Sequence, residues 1–212
     1  MVGDALRTAR ELREVQPQWA AVIYGSVGGC YRSLSQYAKA MELFEQSLAI
    51  DKFKELGDRA GQGKALHGLG ICYESLSQYV KTMELYEKVL VIFKELSNRA
   101  GQAAPLNGLG ICYQSLGQYD KAMELFEQAL VIYKELGDRA GQNAALHGLG
   151  IGYKSFGQYD KAIERYEQAL VIAEELGDRF GQGAAYNNLG DALALSGDGM
   201  AAARAFARGL VV

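Results

Sequence analysis

Apolar residues between positions 58 and 97 recur every three or four residues, which is the spacing of one face of an α-helix. The first set predicts a helix from about Arg59 to Leu76, and the second predicts another helix directly after it. Asp58 is placed to cap the first helix, and Ser77-Gln78 forms the turn between the two. The apolar positions are Leu66, Leu69, Tyr73 and Leu76 in the first helix, and Tyr79, Met83, Tyr86, Leu90, Phe93 and Leu96 in the second. Because no segment alternates as a strand does, the pattern predicts an α-helical hairpin.

This hairpin pattern recurs along the chain with a period of 40 residues. A Leu-Gly pair followed three residues later by Tyr occurs in three copies, and two weaker copies lie nearer the ends. The copies are Leu69-Gly70 with Tyr73, Leu109-Gly110 with Tyr113, Leu149-Gly150 with Tyr153, Val27-Gly28 with Tyr31, and Leu189-Gly190 with Leu193. A fixed period of this size is typical of stacked units that bury their apolar faces against their neighbours. We predict five units, at 18–57, 58–97, 98–137, 138–177 and 178–212, and a helix within 1–17 that packs on the first.

Small residues recur at fixed places in the unit. A glycine lies in the middle of each first helix, although glycine costs about 1 kcal/mol there relative to alanine. We expect it to let the second helix approach closely, with Tyr73 or its equivalent covering the gap. The residues expected to face the glycines are Ala40, Thr82, Ala122, Ala162 and Ala202. Cys30, Cys72 and Cys112 share one place in the unit, so we interpret them as small buried residues rather than metal ligands or a redox pair.

Three features depart from the repeat. Asp51-Lys52 is a two-residue insert, for which we predict a π-type bulge or an early helix end near residues 50–53. Pro105 falls inside the first helix of the third unit and should bend it. Residues 199–212 are predicted to form the second helix of the last unit, with an outer side that has no partner within the chain.

The repeated residues resemble the signature of the tetratricopeptide repeat, W-x2-L-G-x2-Y … A-x3-F. The matching positions are Leu66, Leu69, Gly70, Tyr73, Thr82 and Tyr86 in one unit, and Leu106, Leu109, Gly110, Tyr113, Ala122 and Phe126 in the next, with Leu in place of Trp. The longer period is similar to that of the repeats of kinesin light chain and of spindle-orientation adaptors. The resemblance implies a right-handed superhelical solenoid of stacked antiparallel hairpins. In such arrays the first helices line a concave groove, which is the family's usual peptide site.

Composition and charge narrow the possible partners. A net charge of −3 gives no basic surface for a phosphate backbone, so we expect no nucleic-acid partner. No apolar run reaches the roughly 18–20 residues of a membrane span, and the first residues do not read as a signal peptide, so we expect a cytoplasmic protein without a membrane partner. No nucleophile–base pair or cluster of metal ligands stands out, which predicts a non-enzymatic protein without cofactors. Glutamate and arginine four residues apart recur at the unit junctions, where we expect weak exposed ion pairs: Glu55/Arg59, Glu95/Arg99, Glu135/Arg139 and Glu175/Arg179.

The family's groove-facing positions give candidates for a peptide site. They are Lys64, His67, Ile71, Glu74, Asn107, Ile111, Gln114, His147, Ile151, Lys154 and Asn187. The asparagines and basic residues with which related arrays hold peptide backbones and chaperone tails are missing, apart from Asn188. The isoleucines form an apolar strip suited to an apolar or helical peptide, unless they only pack on neighbouring first helices.

Two functions therefore remain open at this point. The first is a protein-interaction scaffold that binds a segment of a protein partner in the groove. The alternative is a structural unit that forms a homo-oligomer through its ends or grooves. That alternative is suggested by Leu210, Val211 and Val212, which lie beside Phe206 at the end of the last predicted helix.

Overall fold

The computed structural model describes residues 1–50 and 58–212 of the chain. Within these two ranges it consists of eleven α-helices and has no β-strand. In chain order the helices are α1 (Val2–Val15), α2 (Pro17–Ser33), α3 (Tyr37–Leu48), α4 (Arg59–Ser75), α5 (Tyr79–Glu95), α6 (Arg99–Ser115), α7 (Tyr119–Leu136), α8 (Arg139–Ser155), α9 (Tyr159–Leu176), α10 (Arg179–Ser196) and α11 (Gly199–Gly209). The predicted hairpin is confirmed, since α4 begins at Arg59 and ends one residue before Leu76, and α5 follows directly.

Side-chain caps determine where several of the first helices begin. Oδ1 of Asp58 accepts a hydrogen bond from the amide of Gly61 at 2.8 Å, as the sequence predicted. The same bond joins Asn98 to Gly101, Asp138 to Gly141 and Asp178 to Gly181. These side chains satisfy amides that have no acceptor within the helix itself. Each junction therefore carries its own signal for starting a new first helix.

Consecutive helices pack against one another within two compact units, Met1–Gly108 and Leu109–Val212. In the first unit α1 packs on α2, α2 on α3, α3 on α4 and α4 on α5. In the second unit α7 packs on α8, α8 on α9, α9 on α10 and α10 on α11. Outside residues 51–57, which the structure does not describe, turns of three residues or fewer join successive helices, so the packed partners that they connect run antiparallel. The predicted fold class, an all-α series of stacked antiparallel hairpins, is confirmed.

In the first unit, an aromatic ring of each second helix fills the space above the glycines of the first helices. Tyr86 of α5 is 1% exposed, and its ring lies between Gly70 of α4 and Gly108 of α6. A Cβ atom on either glycine would come within 3.0 Å of that ring, closer than such atoms approach in real structures. The ring of Phe44 in α3 lies equally close to Gly68, and 3.2 Å from the corresponding position on Gly28.

The second unit repeats this contact. The ring of Phe126 in α7 lies between Gly110 of α6 and Gly148 of α8, within 3.0 Å of a Cβ placed on either. In the same way Tyr166 of α9 lies against Gly150, and Phe206 of α11 lies against Gly190. We call this arrangement the glycine–ring contact. It explains why the chain keeps glycine in the middle of a helix, because any side chain there would overlap the ring.

The glycine–ring contact corrects one sequence-based interpretation. We expected Tyr73 and its equivalents to cover the glycines, whereas Tyr73 instead lies below Lys81, whose Nζ is 5.0 Å from the ring centroid. The same lysine–tyrosine contact joins Lys39 to Tyr31, Lys121 to Tyr113 and Lys161 to Tyr153. The small residues predicted to face the glycines are all buried: Ala40, Thr82, Ala122, Ala162 and Ala202. The second helix does approach closely, but its own ring fills the gap.

One cysteine differs from its prediction. Cys72 and Cys112 are buried as expected, but Cys30 is exposed. At the equivalent place in α8, a Cβ on Gly152 would meet the side chain of Met123 from α7, the preceding second helix. α7 begins 20 residues before α8, whereas α1 begins only 15 residues before α2. Because α1 is shorter by more than one helical turn, it does not cover Cys30.

The junction ion pairs also differ from their prediction. Arg139 donates from Nε to Oε2 of Glu175 at 2.9 Å, and Arg59 pairs with Glu95. Each pair joins residues 36 apart, at the start and the end of one hairpin, rather than the four apart that we predicted for Glu135. An antiparallel hairpin places the first turn of its first helix beside the last turn of its second helix. Residues 36 apart in sequence are therefore close in space. Both pairs are substantially exposed and contribute little to stability.

The remaining departures concern the ends and irregular positions. Leu6, Ala9 and Leu12 of α1 pack on α2, whereas Val15 at the end of α1 is 76% exposed. α11 ends at Gly209, so the helix predicted to reach Val212 was three residues too long. α6 runs through Pro105 without interruption, and the bend there stays a prediction. The bulge predicted at the two-residue insert lies outside the described residues.

Most turns between the described helices contain one residue with a left-handed backbone conformation, and it is serine in three of the earlier turns and glycine in the later ones. Ser35, Ser77 and Ser97 have φ of 56°, 56° and 51°, and the glycines at the later turns have φ between 65° and 98°. Those glycines are Gly117, Gly137, Gly157, Gly177 and Gly197. Left-handed backbone is strained for a residue with a Cβ atom and unstrained for glycine. The serine turns therefore hold strain that the glycine turns lack.

Ser77→Gly should consequently stabilise the protein, by roughly 0.5–1 kcal/mol, because it removes the left-handed strain without removing a buried contact. The matched control is Gly117→Ser at the equivalent turn, where nothing lies within 4 Å of a Cβ and only the backbone conformation opposes the change. We expect Gly117→Ser to destabilise by a similar amount in urea unfolding. Equal and unchanged midpoints for both variants would show that the turn conformation carries no strain.

Candidate functional site

The predicted site residues lie on the first helices of both units. In the first unit Lys64 is exposed on α4, His67, Ile71 and Glu74 are half-buried on α4, and Asn107 is buried on α6. In the second unit Ile111 and Gln114 are half-buried on α6, His147, Ile151 and Lys154 are half-buried on α8, and Asn187 is exposed on α10. Within each helix they follow one another at three or four residues, so they share one face. We refer to these two sets as the first-helix faces of the two units.

In the first unit, α4 and α5 bring a histidine, a tyrosine and a carboxylate together. The ring of His67 lies 5.5 Å from the ring of Tyr86, centroid to centroid. Oη of Tyr86 donates a hydrogen bond to Oε2 of Glu74 at 2.7 Å. Burial and, to a smaller extent, the positive charge of Arg32 together lower the pKa of His67 to about 4, so His67 is neutral at pH 7. Burial raises the pKa of Glu74, while the bond from Tyr86 opposes that rise.

In the second unit, the equivalent face carries different polar contacts. The ring of His147 lies 6.0 Å from that of Tyr166, and burial lowers the pKa of His147. Nδ2 of Asn188, on α10, lies 3.5 Å from Nδ1 of His147. Nζ of Lys154 donates to Oδ2 of Asp191, also on α10, at 3.2 Å. Two polar contacts therefore tie α8 to α10.

Between these contacts lies Ile151, which packs against the buried cluster that includes Tyr166. The sequence reasoning did not include Asn188 or Asp191 among the site residues. A signal was present for Asp191, because it follows Gly190 directly, at the place where the three preceding repeats have isoleucine. An isolated carboxylate in an apolar row indicates a specific polar partner, which in this structure is Lys154.

A cleft of about 340 Å³ lies between α2 and α4 in the first unit. Its walls include Val22 and Gly25 of α2 and Lys64 of α4, and its floor includes Phe44 and Ser47 of α3. The hydroxyl of Ser47 donates to the carbonyl of Ala21 at 2.9 Å, so this buried polar group is satisfied. Gly25 adds no side chain to this cleft, and a Cβ there would lie 3.7 Å from Oγ of Ser47. Its lining is mainly apolar, with the Lys64 ammonium at the rim.

Several kinds of site are absent from residues 1–50 and 58–212. No group of three or more His, Cys, Asp or Glu side chains there is arranged to hold a metal ion. Among the helices of these residues, none is long and apolar enough to cross a membrane. What the described face offers is a half-buried isoleucine flanked by neutral histidine, lysine, glutamate and asparagine side chains.

Repeated hairpins of this kind define an α-helical repeat protein. The sequence profile of the tetratricopeptide repeat matches residues 54–135 and 141–210, and a second profile of the same repeat matches 21–54. The chain belongs to the tetratricopeptide repeat family, as the sequence signature predicted. Proteins of this family bind protein partners and are generally non-enzymatic scaffolds. No curated protein sequence matches the chain.

Solved structures support the same assignment of the fold. BtubC (BKLC) from P. vanneervenii is 22% identical, with a TM-score of 0.84 over 98% of this chain and 86% of that one. A putative kinesin light chain from Podosopora anserina, with nearly identical TPR-like repeats, is 24% identical, with a TM-score of 0.69 over 96% and 95%. Aspartyl phosphate phosphatase F from Bacillus subtilis is 18% identical, with a TM-score of 0.75 over 95% of this chain and 53% of that one. At these identities the likeness shows the fold alone.

The two tyrosines at equivalent places should respond differently to loss of their hydroxyl groups. Tyr86→Phe removes the hydrogen bond to Glu74 and leaves a half-buried carboxylate without its donor, so it should destabilise by about 1–2 kcal/mol. The hydroxyl of Tyr166 is buried and has no partner among the described residues. Tyr166→Phe should therefore leave stability unchanged or raise it by up to about 1 kcal/mol. Chemical unfolding of the two variants measures the difference, and equal destabilisation by both would contradict it.

Proposed function

We propose that the chain is a non-enzymatic protein-interaction module whose first-helix faces bind an apolar or helical segment of a partner protein. The observation that carries the proposal is the position of Ile151, half-buried on α8 between His147 and Lys154. An apolar side chain with a polar neighbour one turn away on either side is complementary to an amphipathic helix, which presents an apolar face bordered by polar residues.

The first-helix face of the first unit supports the same proposal independently. Ile71 is half-buried between His67 and Glu74, which repeats the order found in the second unit. Val22 of α2 is 49% exposed and lines the cleft beside Lys64. Because His67 is neutral at pH 7, its ring adds no charge that an apolar ligand would have to desolvate. Both units thus carry an apolar centre with a polar margin.

The isoleucines should be needed for binding, and the test requires a control at an equally apolar exposed position. Peptides selected from a library of amphipathic helices provide the ligand, and their dissociation constants are measured by fluorescence anisotropy. Ile151→Asp and Ile111→Asp should each weaken binding at least about tenfold, because a charge enters an apolar contact. Val171→Asp changes a residue that is 52% exposed on α9, a second helix, and should leave the affinity unchanged.

Circular dichroism of each variant separates loss of binding from loss of fold. A library without binders, or an equal loss in Val171→Asp, would contradict the proposal. Ile151 also contacts the buried cluster around Tyr166, so Ile151→Gln is a milder second variant at the same position. It should weaken binding in the same direction with a smaller effect on unfolding.

A second candidate function is self-assembly through the last hairpin. Leu210 and Val211 are 88% and 78% exposed, and Phe180 and Met200 are 89% and 77% exposed. Burial of such a surface would favour association by about 25 cal/mol per Å² before the entropy of association is counted. Light scattering across a range of protein concentrations tests it. A strictly monomeric protein at high concentration would rule it out.

A further inference from the structure

Two hairpins of the chain carry the same tyrosine in different polar surroundings. In α4 and α5, Tyr86 donates to Glu74, a carboxylate of the same hairpin, at 2.7 Å. In α8 and α9, Tyr166 occupies the place of Tyr86 and Lys154 occupies the place of Glu74, both 80 residues further along. Tyr166 is 0% exposed, and its hydroxyl has no hydrogen-bond partner among the described residues. The carboxylate of Glu74, which accepts the hydrogen bond in the first unit, is thus replaced by the ammonium of Lys154 in the second unit.

Other donors on this face also lack acceptors. An amide nitrogen only donates, so Nδ2 of Asn188 makes Nδ1 of His147 the acceptor of their 3.5 Å contact. The proton of the neutral imidazole then lies on Nε2, which is buried and has no partner among the described residues. Lys154 donates to Asp191 and has further N–H groups available. Of these three donor groups only Lys154 has an acceptor among the described residues, so this face lacks acceptors for the other two.

We propose that Oη of Tyr166 and Nζ of Lys154 bind a carboxylate of the partner segment, at the place that Glu74 fills within the first unit. The inference rests on the proposed function, because the ligand is a residue of the peptide that the first-helix face binds. The contact between Tyr86 and Glu74 shows that this position accommodates a carboxylate against a tyrosine hydroxyl. Nε2 of His147, on the same face of α8, is available to an acceptor elsewhere on the ligand, such as a backbone carbonyl.

Entry of a carboxylate requires movement of one flexible side chain. The ring of Tyr166 is enclosed, but the Lys154 side chain is 23% exposed and Asp191 is 55% exposed. Because Lys154 occupies the place of Glu74, whose carboxylate reaches the hydroxyl of Tyr86, we infer that a change of the Lys154 rotamer would let a ligand approach the hydroxyl of Tyr166. The carboxylate of Asp191 competes with the ligand for Lys154. Asp191→Asn should therefore strengthen ligand binding, whereas loss of an essential residue would weaken it.

Small carboxylates test the site directly on the full chain. The probes are N-acetylglutamate α-amide for an acidic side chain, N-acetylalanine for a chain terminus, and N-acetylglutamine amide as the neutral control. NMR of the labelled tyrosine rings follows their binding at constant ionic strength. At least one carboxylate should shift the Tyr166 signal saturably with a roughly millimolar dissociation constant, the range expected for a ligand of this size. The Tyr86 signal should not respond, because Glu74 already occupies the equivalent place.

Lys154→Gln should weaken the carboxylate at least about tenfold, and the side chain keeps a similar size. Tyr166→Phe, followed through the His147 ring signals, should weaken it as well. A response to the side-chain probe alone identifies an acidic side chain as the ligand, and a response to N-acetylalanine alone identifies a chain terminus. The inference is overturned if neither carboxylate shifts the Tyr166 signal, if the neutral probe shifts it equally, or if Lys154→Gln binds as the natural sequence does.

A peptide comparison separates this inference from the proposed function. Helical peptides with glutamate or glutamine at one position, both acetylated and amidated, are measured against the natural sequence and Ile151→Asp. If the glutamate and glutamine peptides bind the natural sequence equally well and Ile151→Asp weakens both, the interaction module is retained and the carboxylate site is excluded. If the glutamate peptide binds more strongly than the glutamine peptide and Lys154→Gln abolishes this difference, the result supports both the interaction module and the carboxylate site. Affinities that Ile151→Asp leaves unchanged would contradict the proposed function itself.

Discussion

The fold depends on contact between an aromatic ring of a second helix and the glycines of the first helices beside it. A ring such as Phe126 needs a groove on both sides, and Gly110 and Gly148 provide it by having no side chain. The helices give up intrinsic stability at each glycine, about 1 kcal/mol relative to alanine. Burial of a whole aromatic side chain offsets that loss, because it removes a large apolar area from water. Repetition of this contact lets each hairpin pack on its neighbour in the same way.

The same contact gives the first-helix faces their chemistry. With its ring fixed against Gly70, Tyr86 holds its hydroxyl beside Glu74, and the ring of Tyr166 is fixed against Gly150 in the same way. The residue at the place of Glu74 is then free to vary without changing the packing of the ring, and it is glutamate in one hairpin and lysine in another. The core is therefore conserved between repeats while the polar face differs. Such separation of packing from recognition is what a binding scaffold requires.

The sequence predicted the helices well because their limits depend on local signals, such as Asp58 before Arg59 and the turn at Ser77. It predicted the core incompletely, because periodicity shows that Tyr73 and Tyr86 both face inward but not which of them contacts Gly70. The sequence did not show the role of Gly108 and Gly148, which is to make room for a ring from the preceding hairpin. The pairs Arg139–Glu175 and Lys154–Asp191 could not be predicted from nearby sequence, since their members lie 36 and 37 residues apart.

The chain requires these glycines because of the ring and not because of the backbone. The most direct test is Gly148→Ala, measured by urea unfolding in the natural sequence and in a Phe126→Leu background. Helix propensity alone predicts that alanine stabilises α8 by about 1 kcal/mol. The glycine–ring contact predicts destabilisation by about 1–3 kcal/mol through overpacking, and a cost smaller by at least about 1 kcal/mol once the ring is gone. Stabilisation by Gly148→Ala, equal in both backgrounds, would contradict the account.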